Sequence, residues 1–407
     1  MTQPTSLLEA LGGRRISETD LITILEWHFG HSRIDPAVPR VVIHAHDQNG
    51  EPAITVVFNK HGGLTDVRPG SAWTQADFDA IKSEIDAEAR AASTQVRRVF
   101  AFARVPTVGT WRYRDGFQIC PPPADAPTPS FAIAPHPFVL EVRFPASSHR
   151  ILNVDRGLVA VRRVELLLSL LLKYGVRAEH ALTRHVWTLV SVQKDPLVLG
   201  SELRQEGYTA RAFHAFADEF SSLSTPLPEE EFSTYFGGQG TMITDTLGIP
   251  VGLSTFLDQF YSLSSSEQQR FLRACYWFQH ANEVRSLSMS SVYMALIQAI
   301  ETLLPVPHTE GHCSECNRRI GPGPTHQFID FVEAHVPGLS EGVRRRLYEV
   351  RSDLSHGSRL LLRDEYVGMG GHFRPEEWEQ ENDIDRVTLV ARLALISWLG
   401  RQFASAE

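Results

Sequence analysis

The chain has 407 residues, 43% of them hydrophobic and 21% charged. That composition excludes a disordered polypeptide, and the length exceeds one ordinary core, so two or three domains are expected. A net charge of −9 excludes a uniformly basic nucleic-acid coat, although an enzyme acting on nucleic acid needs only a local positive patch.

The four cysteines, Cys120, Cys275, Cys313 and Cys316, are too few for a disulfide framework. The longest strongly apolar run, about Val164 to Leu172, is far short of the ~20 residues of a membrane span. The first residues carry no basic segment followed by an apolar one, so a cytoplasmic location is expected.

In chain order, Leu21–Trp27 reads as a short helix. Val41–His46 and Ala53–Phe58 read as strands joined through Asn49-Gly50, a strong hairpin signal. Thr74–Ala92 has helical spacing. Val96–Val105, Thr110–Ile119, Phe138–Phe144 and His185–Val192 read as strands, and the proline-rich stretch 121–137 as a loop or a split between subdomains. Val164–Tyr174 fits a buried helix or a buried strand, since a continuous apolar run does not decide. The expectation for 1–222 is an α+β region with antiparallel strands. Residues 223–250 are rich in Ser, Thr, Pro and Gly and read as a linker.

Residues 251–407 read as an all-α bundle. Ser264 and Glu267 form a capping box that opens a helix to about Val284. In the next helix, Tyr293, Leu296, Ile297, Ile300 and Leu304 share one face, and Pro305 ends it. Thr325 is placed to cap a short helix to His335. Ser340 is placed to cap another whose apolar face is Val343, Leu347, Val350 and Leu354, with Gly357 as its stop. A last helix ends near Phe403.

The stretch Tyr348–Gly357 carries the clearest chemistry. Arg351 and His356 stand with four residues between them near the end of that helix. Arginine holds a permanent charge suited to phosphate, and histidine moves protons near neutral pH. From Glu341 to Arg363 there are six arginines (Arg344, Arg345, Arg346, Arg351, Arg359 and Arg363) against Glu341, Glu349 and Asp353. Such an excess suits a phosphate backbone.

The pattern Tyr348, Arg351, Ser352, His356, Gly357, together with the earlier helix Ala295–Leu304, resembles the HEPN superfamily, and more closely the ApeA-like group of bacterial defence proteins. The resemblance covers about residues 255–403. It implies a metal-independent endoribonuclease acting in antiviral defence by abortive infection. It implies a homodimer in which two motifs build one cleft on RNA, with Arg351 and His356 catalytic and Tyr348, Ser352 and Asp353 supporting them. Many active members carry Asn, Asp or His directly after the arginine, where this chain has Ser352. Some HEPN domains only bind RNA or a protein partner. The N-terminal region would then sense a trigger, hold a partner or restrain the nuclease.

Residues five apart on an ideal helix project about 140° apart, so Arg351 and His356 are not neighbours on one helix face. A cleft shared by two copies removes that difficulty. Arg273 and His280 form a second, weaker Arg…His pair.

Cys313 and Cys316 have half the spacing of a zinc site, with His308, His312 and His326 near in sequence. A structural zinc, a plain reduced loop and a redox pair all remain open for them. His44, His46 and Asp47 fit either a metal pair on one strand face or a solvated face. Trp111-Arg112-Tyr113-Arg114 fits a base-stacking surface or an edge strand with snorkelling arginines.

Overall fold

The computed structural model describes residues 7–34, 42–46, 52–60, 62–124, 136–178, 188–190, 202–204, 216–237, 246–285, 287–305, 311–312, 319–320, 323–365 and 375–404. It divides into two compact units. One comprises Met1–Arg97, Arg143–Ala160 and Phe216–Glu219, the other Arg98–Val142, Val161–Ala215 and Phe220–Glu407.

The first unit contains α1 (Leu7–Ala10), α2 (Glu18–Phe29), β1 (His31–Ile34), β2 (Val42–His46), β3 (Pro52–Phe58), β4 (Leu64–Pro69) and α3 (Gln75–Arg90). The four strands form an antiparallel sheet in chain order. The expected hairpin of β2 and β3 is present, and Asn49-Gly50 lies outside the described residues. Its core joins Leu21, Ile24 and Leu25 of α2 to Ile54 and Val56 of β3 and to Ile81 and Ile85 of α3. Thr74 and Asp77 close a reciprocal capping box at the start of α3. Arg156 binds both oxygens of Asp20 and pairs with Glu88, so the buried charges of this core are matched.

The second unit holds most of a five-stranded sheet. Its strands are β5 (Thr94–Ala103), β6 (Trp111–Tyr113), β7 (Phe117–Cys120), β8 (His136–Pro145) and β9 (Arg177–Ala178), in the order β6-β7-β8-β5-β9. The single strand expected at Thr110–Ile119 is instead the β6–β7 hairpin. Asp115-Gly116 turns the chain there, Arg114 takes φ +46°, and Gly116 N–H donates to Tyr113 O. Of Val164–Tyr174, the residues through Leu171 form the buried half of helix α4 (Arg150–Leu171), and Leu172–Tyr174 follow its end. Two short strands, β10 (Thr188–Val190) and β11 (Glu202–Arg204), pair antiparallel.

The expected linker at 223–250 is part of the second unit. Strand β12 (Glu229–Glu230) and helix α5 (Phe232–Gly237) occupy it, and β12 pairs in parallel with β13 (Ile249–Pro250). Thr110 also exchanges backbone hydrogen bonds with that segment, Thr110 N–H to Thr225 O and Leu227 N–H to Thr110 O. A Cβ on Gly109 would stand 2.7 Å from Thr225 O, so glycine permits this approach. Serine, proline and glycine here mark close backbone packing instead of a free tether.

The rest of the unit is helical, as expected: α6 (Leu253–Ser262), α7 (Ser265–Val284), α8 (Met289–Glu301), α9 (Pro324–His335), α10 (Glu341–Ser355), α11 (Leu362–Glu365) and α12 (Pro375–Ala404). Ser264 and Glu267 form the expected capping box. The cap of α9 is Gly323 with Pro324 at the first helical position, not Thr325. Phe260, Phe271, Phe278, Leu296, Ile300, Leu347, Val350, Leu395 and Trp398 fill the core, and Phe271 stacks on Trp398 at 5.7 Å. Among the described residues no helix is long and apolar enough to cross a membrane.

Candidate functional site

Helix α10 carries the Arg351–His356 motif, and its placement follows from its sequence. Ser340 Oγ accepts from Val343 N–H at the N-terminus. Leu347, Val350 and Leu354 are buried along one face, and Tyr293 of α8 donates its hydroxyl to Leu347 O at 2.9 Å. At the C-terminus Gly357 takes φ +67°. Gly357 N–H then reaches Leu354 O, and Ser358 N–H reaches Asp353 O. That pair of bonds is a Schellman motif, which satisfies carbonyls that a helix end leaves open. Ser358 Oγ donates to Asp353 O as well.

Arg351 is held on two sides. Its Nη2 donates to Glu301 Oε2 of α8 at 3.3 Å, and its Nε lies 3.2 Å from Oε1. That second approach lacks hydrogen-bond geometry and leaves Nε a buried donor without an acceptor. Nη1 makes a long contact of 3.4 Å with Ser355 Oγ. The guanidinium lies over the Tyr348 ring at 5.5 Å, and Tyr348 packs in turn against Phe328 of α9. Arg351 is thus preset by a carboxylate and an aromatic face, with spare donors on its terminal nitrogens.

His356 is the C-cap residue, with φ −85° and ψ −3°, and its backbone N–H bonds to Ser352 O. Its side chain is exposed, and among the described residues it has no hydrogen-bond or ion-pair partner. The chain stays helical from Arg351 through His356, so the two side chains leave the axis about 140° apart. Among the described residues the two side chains make no contact with each other.

The arginine cluster is electrically quieter than its sequence suggests. Arg344 is buried, donates to Leu339 O at 2.5 Å and pairs with Glu333 at 3.2 Å. Arg345 pairs with Glu341 at 2.7 Å, Arg359 with Asp353 at 3.4 Å and Arg363 with Glu381 at 3.0 Å. With Arg351 on Glu301, five of the six arginines face a carboxylate, and Arg346 is the exception among the described residues. Ser352 sits beside Arg351 with its carbonyl accepting from Ser355 Oγ.

The other candidates separate clearly. His280 stacks on Tyr276 at 6.1 Å and meets Trp277 edge-on, a packing role, while Arg273 is exposed. On β6, Tyr113 is buried and donates to Asp258 at 2.7 Å. Arg114 pairs with the same carboxylate, and Arg112 bonds Gln118 and Ser221 O. These side chains are committed to the fold, which fits the edge-strand reading. Cys313, Cys316, His308 and Asp47 lie outside the described residues, as do the side chains of His312, His44 and His46. His326 lies in the first turn of α9.

Two carboxylates hold the motif region in place. Glu301, the last residue of α8, meets Arg351. Asp364 of α11 accepts hydrogen bonds from Ser288 Oγ, Met289 N–H and Ser290 N–H, so it caps α8 from outside. Burial opposes its charge, but those donors outweigh it and hold the carboxyl below its ordinary range. Leu361 N–H donates to Ser290 Oγ, and together these bonds pin the segment just after His356 onto α8. No protein-family model matches the sequence, no curated protein matches it, and no solved structure matches the fold.

Proposed function

We propose that this protein is an endoribonuclease of the HEPN type, with Arg351 and His356 as its catalytic groups and a second copy completing the site. The observation that carries the reading is the pairing of an exposed His356, without a side-chain partner among the described residues, at a tightly capped helix end with an Arg351 preset by Glu301 and Tyr348. In the reaction, the RNA 2′-hydroxyl oxygen bonds to the adjacent phosphorus and the bond from phosphorus to the 5′-oxygen breaks. The products are a 2′,3′-cyclic phosphate and a 5′-hydroxyl. His356 takes the 2′-hydroxyl proton or donates one to the departing 5′-oxygen. Arg351 stabilises the charge that grows on the phosphoryl oxygens. Tyr348 and Ser352 support Arg351, and Asp353 holds Arg359 near the helix end.

Because the two side chains diverge on one helix, His356 of one copy works beside Arg351 of another in this reading. The chemistry uses no metal, so any zinc at Cys313 and Cys316 would be structural. By the same resemblance the enzyme acts on RNA in abortive-infection defence, with the N-terminal region receiving a trigger or a partner.

A second reading, a non-catalytic module that binds RNA or a protein, draws support from the Glu301 carboxylate already on Arg351. Cleavage of labelled RNA by wild type, Arg351→Ala and His356→Ala decides between them. The nuclease reading expects each variant to lose at least about a hundredfold in rate, with cleavage surviving a chelator. Unchanged cleavage in both variants removes the site assignment, and RNA binding without cleavage by wild type favours the second reading.

A further inference from the structure

Within the second unit, Arg392 of α12 is a cation without a counter-charge. Elsewhere in the helical part of that unit, Arg285 pairs with Asp385, Arg363 with Glu381 and Arg386 with Asp383. Among the described residues Arg392 has neither an ion pair nor a hydrogen bond. What touches it is aromatic. Its Cζ lies 5.0 Å from the ring centre of Phe236 of α5 and 5.1 Å from that of Phe278 of α7. Cation–π attraction at such distances holds a guanidinium in place but gives its N–H groups no acceptor. Both rings are themselves fixed. Phe278 is fully buried, and Phe236 meets Phe232 and Tyr235 edge-on, each at 4.8 Å. The Tyr235 hydroxyl is already engaged, accepting from Lys173 N–H and donating to Gly248 O.

This guanidinium is enveloped but not sealed. Burial pulls its pKa down to about 10, opposed in part by Tyr235. The side chain is nevertheless part-exposed, and of its three nitrogens Nε is the one shut off from water. A charge hemmed in by apolar groups, with the terminal edge of its fork still wet, lies at the floor of a recess. Removing a charge from water without a partner is unfavourable, so the position suits an anion that enters from outside.

We propose that Arg392 binds the carboxylate of a small organic acid with an apolar body. A planar carboxylate takes two parallel N–H groups end-on, here from Nη1 and Nη2. One guanidinium matches the single charge of a carboxylate. A phosphate dianion would keep a charge unmatched, because Phe236 and Phe278 bring neither a second cation nor a donor. The phenyl walls suit an aryl or alkyl group carried by the acid. The site uses α5, α7 and α12, not the α10 motif, and stands independently of the nuclease reading.

Isothermal titration of the full-length protein with phenylacetate and phenylacetamide tests the assignment. Phenylacetate is expected to bind at millimolar concentration or below, and the amide, which has the same shape without the charge, at least about tenfold more weakly. Inorganic phosphate, and a capped glutamate standing for a protein side chain, lack the apolar body and are each expected to bind at least about tenfold more weakly than phenylacetate. Arg392→Gln is expected to weaken phenylacetate binding by at least about tenfold, with far-UV circular dichroism unchanged. If that variant does not fold, the amide, phosphate and glutamate comparisons on wild type still decide. The proposal is overturned if phenylacetate does not bind at millimolar concentration, or if the amide binds as well as the acid. It is equally overturned if phosphate or capped glutamate binds as tightly as phenylacetate, or if folded Arg392→Gln binds as wild type does.

Discussion

Asp364→Ala is expected to destabilise the helical part of the second unit by about 2 kcal/mol. The carboxylate accepts from Ser288 Oγ at 3.0 Å, Met289 N–H at 2.9 Å and Ser290 N–H at 2.7 Å. Truncating a helix cap costs ~1 kcal/mol, and a charge at a helix N-terminus adds ~0.3–1 kcal/mol. Buried hydrogen bonds to a charged group reach ~1.5–3 kcal/mol each, but Asp364 is part-exposed and water recovers much of that. Ser288 Oγ still accepts from Ser291 N–H at 3.1 Å, which limits the loss further.

The contribution depends on pH with a definite sign. The folded carboxyl is held below its ordinary value, so the stabilisation is present above the unfolded pKa and is lost as pH falls through the folded one. Urea unfolding of the full chain, followed by circular dichroism at neutral pH, should place the transition of this unit roughly 0.5–1 M lower in the variant. A midpoint within about 0.1 M of wild type would show that Asp364 does not cap α8, and the linkage between the motif segment and that helix would fall with it.

In the proposed reading, Glu301→Gln removes a charge that competes with RNA phosphate for Arg351. Affinity for a non-cleavable RNA is expected to rise about two- to fivefold at low salt, in line with an ion pair worth under ~1 kcal/mol, and weaker binding would contradict a restraining role. His335 is half-buried, and its pKa is pushed down to about 4, chiefly by burial and then by Arg401. The folded state therefore refuses a proton that the unfolded chain accepts at about 6.5, and stability falls as pH drops from ~6.5 toward ~4. The full shift would be worth ~3 kcal/mol, which partial solvation reduces to ~1 kcal/mol. Urea midpoints at neutral and mildly acidic pH should differ less in His335→Gln than in wild type, and equal differences would refute this account.

Features carried by neighbouring residues were legible in the sequence. The Ser264–Glu267 capping box, the buried face of α8 from Tyr293 to Ile300, and the stop at Gly357 all follow from spacing within one turn or two. The antiparallel β2–β3 pair follows from the Asn49-Gly50 hairpin signal. What was not legible depends on distant partners. Glu301 meets Arg351 across 50 residues, and Asp364 meets Met289 across 75. The stretch 223–250 has the composition of a linker, yet its backbone finds partners at Thr110 and between β12 and β13. Composition does not reveal whether a strand edge stands ready to receive such a segment. Asp115-Gly116 is a local turn signal, and the β6–β7 hairpin forms on it.

The arginine cluster shows why a local charge count is a poor guide to a binding surface. Glu341 and Asp353 lie within the counted segment, but Glu333, Glu301 and Glu381 arrive from α9, α8 and α12. Each contact replaces free positive charge with an ion pair. In the proposed reading, RNA then binds by exchange: a phosphate takes the place of a carboxylate that already satisfies the guanidinium. Exchange yields much less free energy than meeting a bare cation, and it releases few counterions, so affinity should be modest and its salt dependence shallow. Among the described residues, Arg351 is the one arginine of the cluster that is also braced by an aromatic ring, against Tyr348. A phosphate displacing Glu301 would find that guanidinium already oriented, whereas Arg345, Arg359 and Arg363 offer no such brace. The discrimination between a productive phosphate and any other along an RNA strand then rests on Arg351, and the second copy's contribution is to bring a His356 to the phosphate that Arg351 selects.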